Sequence, residues 1–401
     1  MGDRFPGGVI SKTPPVVVAP VDGEGGSASG LWSLTEQLEL ERAGNWPKAI
    51  LPRELYAWGT NVSGALGLGD NAGRSSPVQV GALTNWAQVS ANNGHTACVT
   101  TAGTLFTWGY GSAGRLGHGD VISRSSPVQV GALTNWAQVS AGNAFTACVT
   151  TAGTLFTWGL GGLGRLGHGD IISRSSPVQV GTLTNWAQVS AGGGFATCVT
   201  TAGTLFAWGY NGRGQLGDGT IVYKSSPVQI GALSNWAQPA GNEHSACIKT
   251  DGSLFVWGPN NSGQLGDGTA VNKSSPVQVG ALTNWAQIST GNGHNACVKT
   301  DGTLFTWGDG GQGRLGDGTV VNKSSPVQIG ALTNWARAAA GGGTISCVKT
   351  DGTLFTWGFG AGGRTGHGDT LDKSSPVQVG ALTNWFQAAG GADHTAAITK
   401  G

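Results

Sequence analysis

GALTNWAQVSAGNAFTACVTTAGTLFTWG, residues 131–159, decides the fold. It contains three short runs that alternate or concentrate β-formers: WAQVSA from Trp136, TACVTT from Thr146 and LFTWG from Leu155. Such runs read as strands. A fourth, SPVQV from Ser176, follows a glycine-rich connection of the kind seen in GYGSAGRLGHGDVISR. Ala-Gly between the second and third runs becomes Asp251-Gly252, Asp301-Gly302 and Asp351-Gly352 in later copies, a two-residue hairpin signal.

The stretch recurs. Its Trp-Gly pair stands at Trp58, Trp108, Trp158, Trp208, Trp257, Trp307 and Trp357, spaced by 50 residues with a single 49. The missing residue falls between Trp236 and His244. Tandem units of this length, four strands each and with no helical period, point to blades around an axis. GALTN then carries the chain from an outer strand to the innermost strand of the next sheet, roughly 14 Å, within reach of five extended residues. Phase decides closure. The repeats begin near Leu55 with a third strand and stop at Lys400 after a second strand, so the two ends complete one sheet. The expected fold is an all-β, seven-bladed β-propeller of four-stranded blades, closed by pairing N- and C-terminal strands.

The repeat positions assign structural roles. The Trp-Gly tryptophans and their first-strand counterparts are read as wedges between blades. Pro77, Pro127, Pro177, Pro227, Pro276, Pro326 and Pro376 are read as opening the outer-edge strand, where a missing N–H costs no ladder bond. Pro239, in the first strand of the shortened repeat, marks a local irregularity. Cys98, Cys148, Cys198, Cys247, Cys297 and Cys347 occupy one repeat position each. Packed sheets stand about 10 Å apart, too far for a disulfide, so reduced, buried cysteines are expected.

Composition narrows function. Charged residues make up 11% of the chain and the formal net charge is +1, which offers no footprint for nucleic acid. Neither an N-terminal apolar leader nor a window long enough to span a membrane is seen, so no membrane insertion is expected.

NNSGQLGDGT, followed by KSSPVQV, WAQIS and GNGHNACVKTDGTLFTWG, resembles the regulator of chromosome condensation repeat over residues 54–401. That resemblance implies a seven-bladed propeller, in a family that hosts nucleotide exchange, inhibition of other proteins, light sensing and scaffolding. Fold does not select among these.

Residues 1–30 form an extended Gly/Pro/Ser-rich arm by composition, and LWSLTEQLELERAGNWP within 31–53 reads as one short helix and linker. Ser33 and Glu36 make a capping box and Gly44 a stop. Trp32, Leu34, Leu38, Leu40 and Trp46 are candidate anchor contacts. RFPGGVIS, the spacer and this helix resemble the N-terminal region of virion proteins of marine tailed phages. That resemblance implies an anchor to capsid or tail, other virion proteins as partners in many copies per particle, and a propeller exposed at the virion surface as a tail fibre or decoration module for a host surface protein or glycan. Synthesis would be in the host cytoplasm.

Candidate chemistry is weighed repeat by repeat. The GxGxxG segments starting at Gly109, Gly162, Gly311 and Gly358 lack a helix opening and a βαβ unit, and read as turns. Asp218, Asp267 and Asp317, with Asp120, Asp170 and Asp369, supply one carboxylate per blade and read as turn stabilisers, too few for calcium. His118, His168 and His367 lie on a wide ring and diverge. Arg74, Arg124, Arg174, Lys224, Lys273, Lys323 and Lys373 pair locally with those loop aspartates. His95, His244, His294 and His394 begin second strands where Phe145, Phe195 and Ile345 stand elsewhere, which argues against catalysis. The expectation is a non-enzymatic virion structural protein without cofactor or metal. The alternative is a guanine nucleotide exchange factor or other protein-binding propeller.

Overall fold

Each repeat folds as four antiparallel strands, as in Trp136–Ala141, Phe145–Thr150, Leu155–Gly159 and Arg174–Gln179, side by side in chain order. The computed structural model describes residues 52–401 and contains seven such sheets. Strands Trp385–Gly390 and His394–Thr399 join Leu55–Gly59 and Arg74–Gln79 in the sheet that closes the ring, with Leu55 opposite Ile398 and Gly59 opposite His394.

The core lies between neighbouring blades. Second strands such as Phe145–Thr150 are buried at every position because both faces meet another blade. Alternation is therefore absent there, and small or branched residues fill both sides. One contiguous cluster joins Val149, Leu155 and Leu166 to Trp186, Cys198 and Trp208 of the next blade. All six cysteines are buried and unpaired.

The tryptophans divide into two sets. Trp58, Trp108, Trp158, Trp208, Trp257, Trp307 and Trp357 are fully buried, and each indole N–H donates to a backbone carbonyl in the loop of the preceding blade. Trp158 Nε1 donates to the Arg115 carbonyl at 2.9 Å, and Thr146 Oγ1 donates to the same oxygen at 2.8 Å. One carbonyl thus holds two strands of the next blade. The first-strand set, such as Trp136, meets Phe156 edge to face at 5.3 Å and Trp158 at 6.2 Å.

The LGxG motif has a separate duty for each glycine. A Cβ on Gly117 would stand 2.7 Å from Trp158 Nε1, so that position must stay bare for the indole to dock. Two residues on, the Gly119 N–H donates to the Ser175 carbonyl of the next blade's outer strand at 2.7 Å. Gly368 to Ser75 repeats this latch across the closure at 2.7 Å.

Three expectations need correction. The repeat prolines do not open the fourth strand: Pro77 is inside Arg74–Gln79, where the register jumps between Val78 and Arg74. A bulge on an outer edge tolerates the missing N–H equally well. Ile345 is not the counterpart of the strand-opening histidines; Thr344 is, since it pairs with Gly358 as His294 pairs with Gly308. Pro239 keeps the register of its strand, opposite Cys247, and the lost residue shortens the turn and the following strand, Ser245–Lys249.

Candidate functional site

Topology gives the ring two unlike faces. Turns between first and second strands share one face with the long loops between third and fourth strands, because Gly109 pairs with His95 on one side and Arg124 on the other. Hairpins between second and third strands and the GALTN linkers share the opposite face. On the linker face GALTN changes only to GTLTN and GALSN, and the hairpins take two forms, TTAG in three copies and KTDG in the next three.

The loop face carries the differences. The residue after Trp-Gly is Thr60, Tyr110, Leu160, Tyr210, Pro259, Asp309 or Phe359. The residue whose carbonyl receives the indole is Ala65, Arg115, Arg165, Gln215, Gln264, Arg314 or Arg364. Val121, Ile122, Ile171, Ile172, Ile221, Val222, Val320 and Val321 lie on the same loops and are each between 58% and 68% exposed. Isolated exposed aliphatics mean little, but pairs repeated on successive blades form a band of the sort proteins use for contact.

Innermost strands line a central channel of about 310 Å³. Each would leave one edge of N–H and C=O groups unpaired, and the WAQVS motif answers this. Gln138 Nε2 donates to the Val189 carbonyl at 3.0 Å, while Val189 N–H donates to Gln138 Oε1 at 2.8 Å. Ser140 Oγ accepts the Ala191 N–H at 2.9 Å. A side-chain amide and a hydroxyl thereby stand in for the absent neighbouring strand. Where Pro239 has no N–H to offer, Gln188 has none to accept. At one mouth Arg337 replaces the glutamine and its guanidinium lies 4.1 Å over the Phe386 ring.

The titratable groups singled out by sequence do not converge. Asp120 pairs with Arg124 at 2.8 Å, and Lys373 with Asp369 at 2.7 Å; the other five cations of that ring are likewise paired to their loop aspartates. Asp218 accepts from Thr220 and Asn211, within its own turn. His118, His168 and His367 each contact a threonine of their own blade at 3.0 Å. Among the described residues no cluster of three or more His, Cys, Asp or Glu could hold a metal.

The strand-opening histidines act as buried donors. Thr146 Oγ1 spends its proton on the Arg115 carbonyl, so His95 Nε2, 3.1 Å away, must carry the proton of that contact. His95 Nδ1 is left buried without a partner, which suits its unprotonated state. Asn295 repeats the arrangement, donating to the Gln264 carbonyl and accepting from His244 Nε2 at 2.7 Å. Burial depresses these imidazoles to about 3 at His95 and about 4 at His244, His294 and His394. Burial also pushes the Cys148 thiol well up. The unprotonated nitrogen of each histidine is buried away from solvent and resists taking up a proton, which makes it a poor base, and a buried thiol held protonated is a poor nucleophile. The candidate anchors Trp32, Leu34, Leu38, Leu40 and Trp46 lie outside the described residues.

Sequence reasoning missed the channel glutamines and serines, and the arginines of the loop face. The available signal was the exchange of GRLG, GQLG and GALG at a position otherwise repeated.

No curated protein matches the chain. The architecture is similar to human WBSCR16 (TM-score 0.78, 22% identity, 87% of this chain and 99% of that chain). It is also similar to Prp20p from Saccharomyces cerevisiae, whose structure was described with binding to Gsp1p and histones (TM-score 0.76, 21% identity, 88% of this chain and 92% of that chain). Yeast RCC1 (Prp20), solved bound to Kap60, is similar at TM-score 0.77 and 19% identity, over 96% of each chain. Likeness at these identities carries the fold alone. The model of the RCC1-like domain matches residues 54–397, and with the ring, the latch and the blade motifs this places the chain as a member of the RCC1-like domain family.

Proposed function

We propose that this chain is a protein-recognition module whose loop face is the contact surface. The observation that carries the reading is the concentration of blade-to-blade differences on that face, where the residue after Trp-Gly takes six identities in seven blades, Tyr alone recurring. Residues that hold the ring repeat nearly unchanged; residues free of that duty vary from blade to blade on the loop face, whereas the linker face keeps one linker motif and two hairpin types, Thr-Thr-Ala-Gly and Lys-Thr-Asp-Gly. An unpaired aliphatic band on the varying face supports the same reading. Prp20p, to whose propeller this one is similar, was described with binding to Gsp1p and histones.

Selection of random displayed peptides on the full chain tests this. Ile171→Lys with Ile221→Lys weakens the selected ligands by about tenfold or more, while Leu183→Lys on the linker face leaves them unchanged. Equal loss from both faces, or from neither, refutes the assignment. Nucleotide exchange is the narrower form of protein binding. Its test is release of a labelled nucleotide from a purified small GTPase in the presence and absence of the chain. The virion role rests on the resemblance of residues 1–53 alone, and mass spectrometry of purified particles tests it.

A further inference from the structure

Four blades place an arginine at the loop position whose carbonyl receives the indole, and the structure treats them in two ways. Arg314 Nη1 is paired with Asp309 at 2.9 Å, and Arg364 Nη1 with Asp393 at 3.0 Å. Arg115 and Arg165, on adjacent blades, are equally buried, with only 6% and 9% of their surface exposed, and neither has a carboxylate partner among the described residues. The repeat shows why. Asp309 has Tyr110 and Leu160 as its counterparts in those two blades. Asp393 precedes His394 in the turn that Arg364 faces, and the matching turn facing Arg165 has Gly194 before Phe195. A Cβ placed on Gly194 would lie 3.8 Å from Arg165 Nη2. The acid is missing from the place where another blade supplies one.

Both guanidiniums are built in rather than loose. Arg115 Nε donates to the Ser112 carbonyl at 3.0 Å and Nη1 to the Asn93 carbonyl at 3.2 Å, with its Cζ 4.7 Å from the centroid of the Tyr110 ring. Arg165 Nε donates to the Gly162 carbonyl at 2.9 Å. Arg115 Nη2 and both terminal nitrogens of Arg165 have no protein acceptor among the described residues. Burial weakens the hold of both groups on their protons; at Arg115 the Tyr110 hydroxyl opposes this and the neighbouring Arg165 charge adds to it. Glu243 occupies the same turn position one blade further on, where the facing residue is the uncharged Gln215, and it forms no ion pair within 4 Å among the described residues. A buried cation without a counter-charge is costly, and a partner that supplies one gains what the chain withholds.

Resting on the loop face as the contact surface, we propose that Arg115 and Arg165 receive two carboxylates of an acidic peptide segment of the partner, held as Asp309 and Asp393 are held by Arg314 and Arg364. The ring's own ion pairs are the template for the ligand chemistry.

The test uses the full chain and a fluorescein-labelled hexaglutamate peptide, with hexaglutamine and a labelled oligothymidylate as comparison probes, read by anisotropy. Arg115→Gln and Arg165→Gln install the residue that two other blades already carry at this position, so the ring is retained. Each weakens hexaglutamate by about tenfold or more. Gly194→Asp supplies the acid internally, weakens hexaglutamate as much, and leaves the unfolding midpoint unchanged or higher. Arg314→Gln leaves binding as in the parent. Hexaglutamate binding no better than hexaglutamine, or equally well to all variants, overturns the proposal. Oligothymidylate bound more tightly, with the same arginine dependence, overturns the peptide assignment. If hexaglutamate fails while selected peptides still depend on Ile171 and Ile221, only the carboxylate assignment falls; if those peptides also lose face dependence, the recognition reading falls with it.

Discussion

Replacing Gly117 by alanine probes the joint between blades more sharply than removing a tryptophan would, because it adds one methyl and deletes nothing. Two costs are expected. Gly117 has φ +83°, a left-handed conformation that costs an L-residue about 1–2 kcal/mol. The new Cβ would also meet Trp158 Nε1 at 2.7 Å and Cε2 at 3.0 Å, which a buried ring cannot tolerate without moving. Moving it breaks the N–H bond to the Arg115 carbonyl and orphans a buried donor, about 2 kcal/mol more. Thr146 still serves that carbonyl, so the acceptor side adds nothing. Gly131→Ala is the control: φ is +59° and nothing lies within 4 Å of the added atom, so only the backbone cost applies. Urea denaturation followed by tryptophan fluorescence should place Gly117→Ala about 2 kcal/mol below Gly131→Ala. Two variants equal within about 0.5 kcal/mol would show that the indole does not depend on the bare glycine.

Three further outcomes follow from the packing. Gln138→Ala removes two bonds to Val189 and should cost about 1 kcal/mol with faster amide exchange at Val189, whereas Gln188→Ala, facing Pro239, should be nearly neutral by both measures. The buried histidines make stability pH-dependent: their folded pKa values, about 4 at His244, His294 and His394, lie below the unfolded value near 6.5, so the unfolded chain binds more protons between the two. Stability is complete above that unfolded value and falls as the pH drops from about 6.5 toward 4, by about 1.4 kcal/mol per unit for each histidine. His394→Phe, the residue type found at Phe145 and Phe195, should flatten the slope of the urea midpoint against pH. Finally, the six buried thiols should resist a thiol reagent in the native protein and all react on unfolding, read by absorbance.

Strand number, blade count, order and closure were legible because each rests on a local pattern repeated in register: WAQVSA, TACVTT, LFTWG and the hairpin dipeptides. What escaped were duties that exist only between blades. Gly117 reads as a turn glycine, and nothing near it names Trp158, which meets it only after the next blade has folded alongside. Gln138 reads as an outward polar residue of an alternating strand; its role appears only once that strand is the free edge around an axis. Arg115 and Arg165 escaped for the opposite reason. Identity with Arg314 and Arg364 hides a difference that lies in the residues facing them, Tyr110, Leu160 and Gly194 in place of Asp309 and Asp393.

The shared closing sheet sets an order of events on the ribosome. Six sheets draw all four strands from consecutive sequence, so each can assemble soon after its own residues emerge. Of the blade strands, the hairpin Leu55–Gln79 is translated before the rest, yet its sheet is completed last: Glu54 meets Thr399 across 345 positions of chain. Until the final strand clears the exit tunnel, that hairpin shows a bare edge to the cell, and stalled synthesis would present chaperones with an open arc rather than a ring.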